Sequence, residues 1–448
     1  MGRPKMLKTF KIGGAHPEEN KFSQHSTIEE IAAPDTVFVM MNQNLGAPSV
    51  PVVAKGDKVK IGQLIAKGEA FISAAVHSPV SGTVEKVDFW TDTTGYRKPV
   101  IVINKEGEEW AEGIDTSDAL IKEIKASKDE IIEIIKNSGI VGLGGATFPT
   151  HVKLAIPQDK TAEYLIINAV ECEPYLTSDH RLMLEKGEEI MVGVQILMKA
   201  LNVSQAIIGI ENNKEDAIQH LDEIAKKYSG ITVQGLKVKY PQGAEKQLIE
   251  ALTKRRVPSG KLPIEVGCVV QNVGTAYAIY EAVQKNKPLI ERVVTVTGKK
   301  VSKPSNFRVR IGTPVSMLIE KAGGLPEGSG KIINGGPMMG KAIINIDVPV
   351  TKGTSGIVVF DEKESKRNVV ANCIRCARCT MVCPMGLQPF LLAAGMEFDN
   401  FEVVEKNNVM DCIECGTCHY TCPSNRPLLD MLRLGKSKIG EIIRSRKN

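Results

Sequence analysis

Two cysteine tetrads towards the C-terminal end constrain this chain more than any other feature. The first is Cys373, Cys376, Cys379 and Cys383, followed by Pro384; the second is Cys412, Cys415, Cys418 and Cys422, followed by Pro423. The spacing C-x2-C-x2-C-x3-C-P, used twice, is a ligand pattern for paired [4Fe–4S] clusters. In that pattern three thiolates of one tight loop hold one cube, and the fourth cysteine is expected to ligate the other. The expected ligand sets are therefore Cys373, Cys376, Cys379 with Cys422, and Cys412, Cys415, Cys418 with Cys383. Each following proline lacks an N–H and fixes φ, which turns the chain away from the cluster. Two other readings draw on the same residues. Zinc also takes C-x2-C ligands, but usually as two separated pairs closing one tetrahedron; here a third cysteine follows at the same interval and the whole pattern recurs after residues 384–411. A disulfide framework suits small secreted chains, and the stretch Met1-Gly-Arg-Pro-Lys5 carries charge without the apolar run of a signal peptide.

A chain of 448 residues has room for roughly two to four domains. No apolar run approaches the ~18 residues that span a bilayer, and the most apolar helix-like stretch, Ile190 to Leu201, is interrupted by Gln195 and Lys199. Cys172 and Cys268 lie outside the tetrads, and thiols of both kinds fit a reducing cytoplasm. The net charge of +5 is too mild to argue for nucleic acid. Positive charge gathers at the end, in Arg433, Lys436, Lys438, Arg444, Arg446 and Lys447. That is a solvated tail, or a surface for an acidic partner or lipid headgroups.

Residues 1–28 carry Gly13, Gly14, Pro17 and several charges, and read as an extended lead-in. From Thr36 to Asn104, short β-branched runs are punctuated by glycine, the pattern of a small β barrel or sandwich. A helix is expected over Ala119 to Lys136, where Ile and Leu recur at helical spacing. It leads into Gly142, Gly144 and Gly145, a glycine-rich loop whose backbone N–H groups can approach an anion closely if a helix start follows; a plain loop has the same composition. Tyr164 to Asn168, Ala206 to Ile210 and Leu236 to Tyr240 read as strands alternating with helices such as 214–228. That order argues for a parallel α/β layer with ligand sites at strand C-termini. Glu291 to Ile346 gives two β-rich pieces around one short helix. Residues 361–368 form a charged linker, and Leu387 to Phe398 reads as a helix between the tetrads.

Several stretches carry resemblances. Lys55 to Ile65 resembles the lipoyl/biotinyl barrel-sandwich hybrids, but the piece corresponding to their modified hairpin tip, Phe71 to Pro79, has no lysine, so the fold is expected without the swinging-arm chemistry. Gly142 to Thr150, with Asn168 to Pro174, resembles the FMN- and NADH-binding flavoprotein subunit of respiratory complex I; the turns at Gly243 to Glu245 and Gln271 to Thr275 echo the same family. The resemblance implies an FMN and nucleotide site at Gly142, Gly144, Gly145, Lys153, Asn168, Glu171, Glu173, Gly243, Glu245, Asn272 and Thr275. Leu143, Thr147 and Val170 stand where that family's pattern has an arginine, a glycine and an aspartate, which changes the charge around phosphate and flavin. Residues 291–346 resemble the soluble-ligand-binding β-grasp (SLBB) domains, closed by the Gly335 to Gly340 turn.

The combined order is similar to the RnfC family of the Rnf electron-transport complex over essentially the whole chain. The fold class expected is multidomain α/β. It comprises a lead-in (1–28), a lipoyl-like barrel-sandwich hybrid (29–112), a complex I flavoprotein-like FMN/NADH domain (113–290), an SLBB β-grasp (291–350), a linker (351–368), a helical two-[4Fe–4S] ferredoxin domain (369–434) and a basic tail (435–448). The resemblance implies a peripheral subunit on the cytoplasmic face of the bacterial cell membrane. It would exchange electrons between NADH/NAD+ and ferredoxin through non-covalent FMN and two clusters, beside partner subunits that translocate Na+ or H+. No side-chain acid or base is required for hydride transfer, so no catalytic residue is named. Two alternatives share the domain order: a soluble flavin/iron–sulfur cobalamin reductase of bacterial microcompartments, and an electron wire without flavin.

Overall fold

The computed structural model describes residues 6–446; positions 1–5 of the expected lead-in and 447–448 of the expected tail lie outside the described residues. From Met6 the chain runs without regular structure along the second module, meeting it at the isolated bridges Lys8 to Leu236 and Ala15 to Tyr240. The short strand β1 (Ile28–Glu30) follows and does not join the barrel. The barrel itself comprises β2 (Thr36–Met40), β3 (Val50–Pro51), β4 (Lys58–Val59), β5 (Leu64–Lys67), β6 (Val76–His77), β7 (Gly82–Thr91) and β8 (Arg97–Lys105). Its antiparallel sheets have the orders β2–β8–β7–β4 and β3–β5–β6. Alternation puts Val37 and Val39 against Ile65, Ile101 and Ile103 in the interior. The outer face of β8 is covered too, by Met40, Phe38 and Trp90 around Val100 and Val102.

The second module contains α1 (Lys128–Asn137), α2 (Thr150–Leu154), β9 (Tyr164–Asn168), α3 (Ser178–Glu185), α4 (Gly187–Leu201), β10 (Ala206–Glu211), α5 (Glu215–Ala225), β11 (Ile231–Leu236), α6 (Glu245–Thr253), β12 (Cys268–Asn272) and α7 (Val273–Lys285). Its sheet, β11–β10–β9–β12, is parallel throughout. Parallel strands buried on both faces need continuous apolar runs, and Leu165, Ile166 and Ile167 supply one. Leu165 and Ile167 join the core shared with α1, α4, α5 and α7, while Ile166 packs with Leu248 and Ile249 of α6. Two expectations need correction. The helix expected from Ala119 begins only at Lys128, because Ser127 and Glu130 form a reciprocal capping box there. The preceding residues instead bond side chains of α7: Ile121 N–H donates to Tyr280 Oη, and Gln284 Nε2 donates to the carbonyls of Ile121 and Glu123. The strand read at Leu236 to Tyr240 lies at Ile231–Leu236; Lys237 and Tyr240 are tied instead to the lead-in, through Lys8 O and Ala15 O.

The third module is a six-stranded sheet with helix α8 (Val315–Lys321). It contains β13 (Glu291–Thr297), β14 (Ser305–Arg310), β15 (Ser329–Asn334), β16 (Lys341–Ile343) and β17 (Gly356–Asp361), in the order β1–β14–β13–β17–β15–β16. Strand β17 falls in the stretch expected to be a linker, yet it lies mid-sheet between β13 and β15. Its Gly-Ile-Val-Val run is buried and belongs to the β-grasp core. The short helix α9 (Glu362–Ser365) still packs on β15 and β17; the last module is helical: α10 (Arg378–Met381), α11 (Pro389–Glu397), α12 (Phe401–Lys406), α13 (Thr417–Tyr420) and α14 (Leu428–Ser445). Helix α14 corrects the expected tail at 435–448. Its Leu432 and Ile439 are buried, so the basic residues ride on a packed helix. No described helix is long and apolar enough to cross a membrane.

Candidate functional site

The C-terminal ends of β9 and β12 place Asn168 and Asn272 side by side in register, where open α/β sheets take their ligands. Asn168 Nδ2 donates to Gly243 O at 2.7 Å. Asn272 caps α7 by accepting from Gly274 N and Thr275 N, while its Nδ2 donates to Asp179 Oδ2 at 2.7 Å. Thr275 Oγ1 accepts from Leu143 N at 2.9 Å, which draws the glycine loop over the strand ends. Gly144 then lies where a Cβ would meet Asn272 Cβ at 3.4 Å. Lys153 of α2 reaches across to Glu245 Oε1 at 2.9 Å and Val270 O at 3.2 Å. Nine of the eleven positions expected to hold flavin and nucleotide thus meet at one cradle: Gly142, Gly144, Gly145, Lys153, Asn168, Gly243, Glu245, Asn272 and Thr275. Within the loop, Gly142 N donates to Phe148 O and the Thr147 amide closes the turn over Leu143 to Ala146, whereas the amides of Gly144, Gly145, Ala146 and Phe148 have no acceptor among the described residues. A run of free amides on one loop is an anion nest, so the residues present fit the phosphate of a bound FMN or nicotinamide dinucleotide.

Glu171 and Glu173 are committed elsewhere. Glu171 caps α3, accepting from Asp179 N at 2.7 Å and His180 N at 3.2 Å. Burial, reinforced by the Glu171 charge, raises the Asp179 carboxyl beside it. Glu173 accepts from Met338 N at 3.0 Å and Met339 N at 2.9 Å, in the β-grasp turn, and faces Tyr240 Oη at 3.4 Å. Burial pushes its carboxyl up to about 7, against the pull of those two amides.

The cysteine loops repeat one geometry. Arg375 and Ala377 take positive φ in the first, and Glu414 and Gly416 take it at the equivalent places in the second. Helices α10 and α13 follow at matching positions, and α11 and α14 begin at the offset that separates Cys373 from Cys412. All ten cysteines are free thiols. Burial raises Cys418, and the nearby Cys415, Cys412 and Cys383 raise it further. Cys412, pushed up to about 11 chiefly by burial, feels Cys415 and Cys383 as well. In the other set Cys379, raised by burial, feels Cys422. The charges that reach one another are those of the crossed sets, with Cys383 beside the second loop and Cys422 beside the first. No three His, Cys, Asp or Glu side chains among the described residues converge as ligands of a single ion; a cube shares four thiolates over four irons and does not ask them to. The crossed arrangement fits two [4Fe–4S] clusters. Backbone N–H groups of Leu387 and Glu414 lie 3.3 Å and 3.4 Å from the sulfurs of Cys383 and Cys412, in the position from which amides tune cluster potential.

The two sets differ in surroundings. The second is pressed against the other modules: Tyr240 Oη donates to Cys415 O at 2.9 Å, and Gln247 Nε2 of α6 donates to Pro384 O at 3.2 Å. Gly14 N donates to Val382 O at 2.8 Å, and a Cβ on Gly13 would lie 2.6 Å from the Cys383 backbone, so only glycine passes there. Lys436 of α14 donates to Cys412 O and pairs with Glu414. By contrast residues 366–378, with Cys373 and Cys376 among them, are exposed without a break. Tyr240, Gln247 and Lys436 were not singled out for this role from the sequence. Their partners lie far along the chain, and only the Gly13–Gly14 pair gave a local sign that something passes close by.

Residues 135–281 match the family described as the Nuo51 FMN-binding domain, 8–108 the RnfC barrel sandwich hybrid domain, 293–342 the SLBB domain and 365–423 the 4Fe-4S dicluster domain. The chain is 49% identical over 392 residues to the C subunit of the proton-translocating ferredoxin:NAD(+) oxidoreductase complex of Clostridium ljungdahlii, covering 87% of this chain and 84% of that one. It is 44% identical to the C subunit of the Na(+)-translocating ferredoxin:NAD(+) oxidoreductase complex of Acetobacterium woodii, over 96% and 97% of the two chains. Against the C subunit of the ion-translocating oxidoreductase complex of Rhodobacter capsulatus the identity is 41%, over 97% and 84%.

Proposed function

The chain belongs to the RnfC family, the C subunits of ion-translocating ferredoxin:NAD(+) oxidoreductase complexes, and we propose that it exchanges electrons between NADH/NAD+ and ferredoxin within such a complex. Other subunits move Na+ or H+, and this one sits peripherally on the cytoplasmic face of the membrane. Bound FMN supplies two-electron exchange with nicotinamide and one-electron exchange with iron–sulfur clusters. The chain's own residues do the placing. The amides of Gly144, Gly145 and Ala146 receive phosphate, and Asn168, Asn272 and the Lys153–Glu245 pair line the polar cradle. Cys412, Cys415, Cys418 and Cys383 hold the inner cluster; Cys373, Cys376, Cys379 and Cys422 hold the outer one.

A single contact carries this reading best: Tyr240 Oη on Cys415 O at 2.9 Å. It joins the segment after β11 to a cluster ligand, while Gly243, three residues on, touches Asn168 of the cradle. The outer loop, bearing Lys366, Arg367, Arg375 and Arg378 and no carboxylate over 366–378, then faces a redox partner. The relatives named above are translocase subunits, and nothing among them favours a cobalamin reductase. The test is the content of anaerobically purified protein. About one FMN and about eight irons per chain, with flavin and cluster absorbance both bleached by NADH, support the reading. Iron without flavin leaves only an electron wire, and zinc in place of iron overturns the cluster assignment.

A further inference from the structure

The glycine loop rests on two enclosed cations that belong to the β-grasp module and have no part in the exchange described above. Lys352 is 1% exposed, and its Nζ donates to Ala75 O and Gly139 O, both at 2.7 Å. Arg292 on β13 is 7% exposed; its Nε donates to Thr354 O and its Nη2 to Leu143 O, both at 3.3 Å. Arg292 is held down to about 10 by burial and feels the Asp179 charge, which works the other way. Burial alone pushes the Lys352 ammonium down to about 7. Burying a cation is unfavourable unless its hydrogen bonds are satisfied, and here two buried basic side chains are held on backbone carbonyls behind one loop.

What they hold explains their place. Leu143 C=O and Gly144 N–H belong to the same planar trans peptide and point in opposite directions. A guanidinium that fixes the carbonyl inward therefore turns the amide outward. Leu45 N does the same to Thr147 O from the barrel side, which turns out the Phe148 amide. The segment carrying Lys352 is itself against the loop, since a Cβ on Gly353 would meet Thr147 Cγ2 at 2.8 Å. We infer that Arg292 and Lys352 are positioning residues for a phosphate-bearing nucleotide: Arg292 anchors the Leu143 carbonyl, Lys352 anchors the Gly139 carbonyl at the entry to the loop, and together they fix the loop so that its outward amides face the ligand. This rests on the reading of the loop as the nucleotide cradle. The phosphate is that of FMN or the pyrophosphate of NAD(H).

The experiment uses holoprotein carrying Lys352→Met, Arg292→Met or the conservative Arg292→Lys. It measures the rate of FMN release on dilution, the Kd for NADH and for reduced nicotinamide mononucleotide, and the melting temperature. The expected result is at least a tenfold loss for a phosphate ligand in both methionine variants, with partial recovery in Arg292→Lys. Faster FMN release assigns the flavin phosphate. Weaker NADH binding with FMN retained, and no change for the mononucleotide, assigns the pyrophosphate. Variants that bind every ligand as wild type does, with only the melting temperature lowered, overturn the inference and leave a purely structural role. If Lys352→Met does not fold, Arg292→Lys against Arg292→Met decides by the same readouts. A wild type that takes up neither FMN nor NADH ends the nucleotide reading itself, and this inference with it.

Discussion

Glu173 shows how much one side chain can join. Its carboxylate takes two amides of the β-grasp turn and faces the tyrosine that bonds a cluster ligand. Beside it, Lys21 of the lead-in donates to the carbonyls of Glu171, Glu173 and Leu176 at 2.9, 2.9 and 2.7 Å, and burial holds its ammonium down to about 8. The folded-state value for Glu173, about 7, lies above the ordinary 4.5. The folded protein therefore holds the extra proton: the contribution is fully present below about pH 4.5 and is lost as pH rises through about 7. Replacing Glu173 by Gln should flatten that decline, on the order of 3 kcal/mol, in denaturant titrations run from pH 4.5 to 8. An identical slope in both proteins would refute the assignment. The sequence motif around Glu171 and Glu173 was legible as a unit, but its partners were not. A carboxylate's hydrogen bonds depend on amides more than a hundred residues away, and no spacing rule reaches them.

Elements were legible where period and punctuation agreed. Strands β9 and β10 announced themselves because they are apolar on both faces, and α11 because it is apolar around most of its girth, whereas β11 was displaced and β12 was not read as a strand. The misread elements share one cause: local pattern was outweighed by tertiary partners. Residues 119–127 have helical spacing, yet Tyr280 and Gln284 satisfy their backbone in an extended path. Strand β17 sits in a stretch that looked like a linker because charge follows it immediately. The basic end looked like a tail because its cations outnumber its apolar residues, while Leu432, Ile439 and the Gly435–Met396 contact seat α14 in the cluster module. That seating has a consequence. Ile439→Ala should cost about 2–5 kcal/mol and should lower the unfolding midpoint of the cluster module, followed by loss of visible cluster absorbance. A variant whose cluster signal survives denaturant as well as wild type would show that α14 is dispensable.

At the scale of the whole molecule, the lead-in and the β-grasp turn do more than connect. Gly13 and Gly14 cross the backbone at Cys383, and Met338 O lies against Gly416 where a Cβ would come within 2.9 Å. Together with Tyr240 and Gln247 they clamp the second cysteine loop onto the flavin-type module and leave the first loop open. Domain order was readable from the sequence because each module carries a local motif, and the cysteine and glycine positions proposed as ligands come from the same motifs. The inner and outer ranking of the two clusters was not readable, since the loops are near-repeats and differ only in what packs on them. That ranking is the central claim, and rapid-mixing reduction by NADH tests it most directly, with optical and EPR detection of Cys373→Ser and Cys418→Ser proteins that retain flavin. With the outer set broken by Cys373→Ser, NADH should still bleach the flavin and reduce the remaining cluster at the wild-type rate. With the inner set broken by Cys418→Ser, flavin bleaching should persist while reduction of the remaining cluster slows by at least tenfold. Fast cluster reduction in Cys418→Ser, or its loss in Cys373→Ser, would contradict the order argued here.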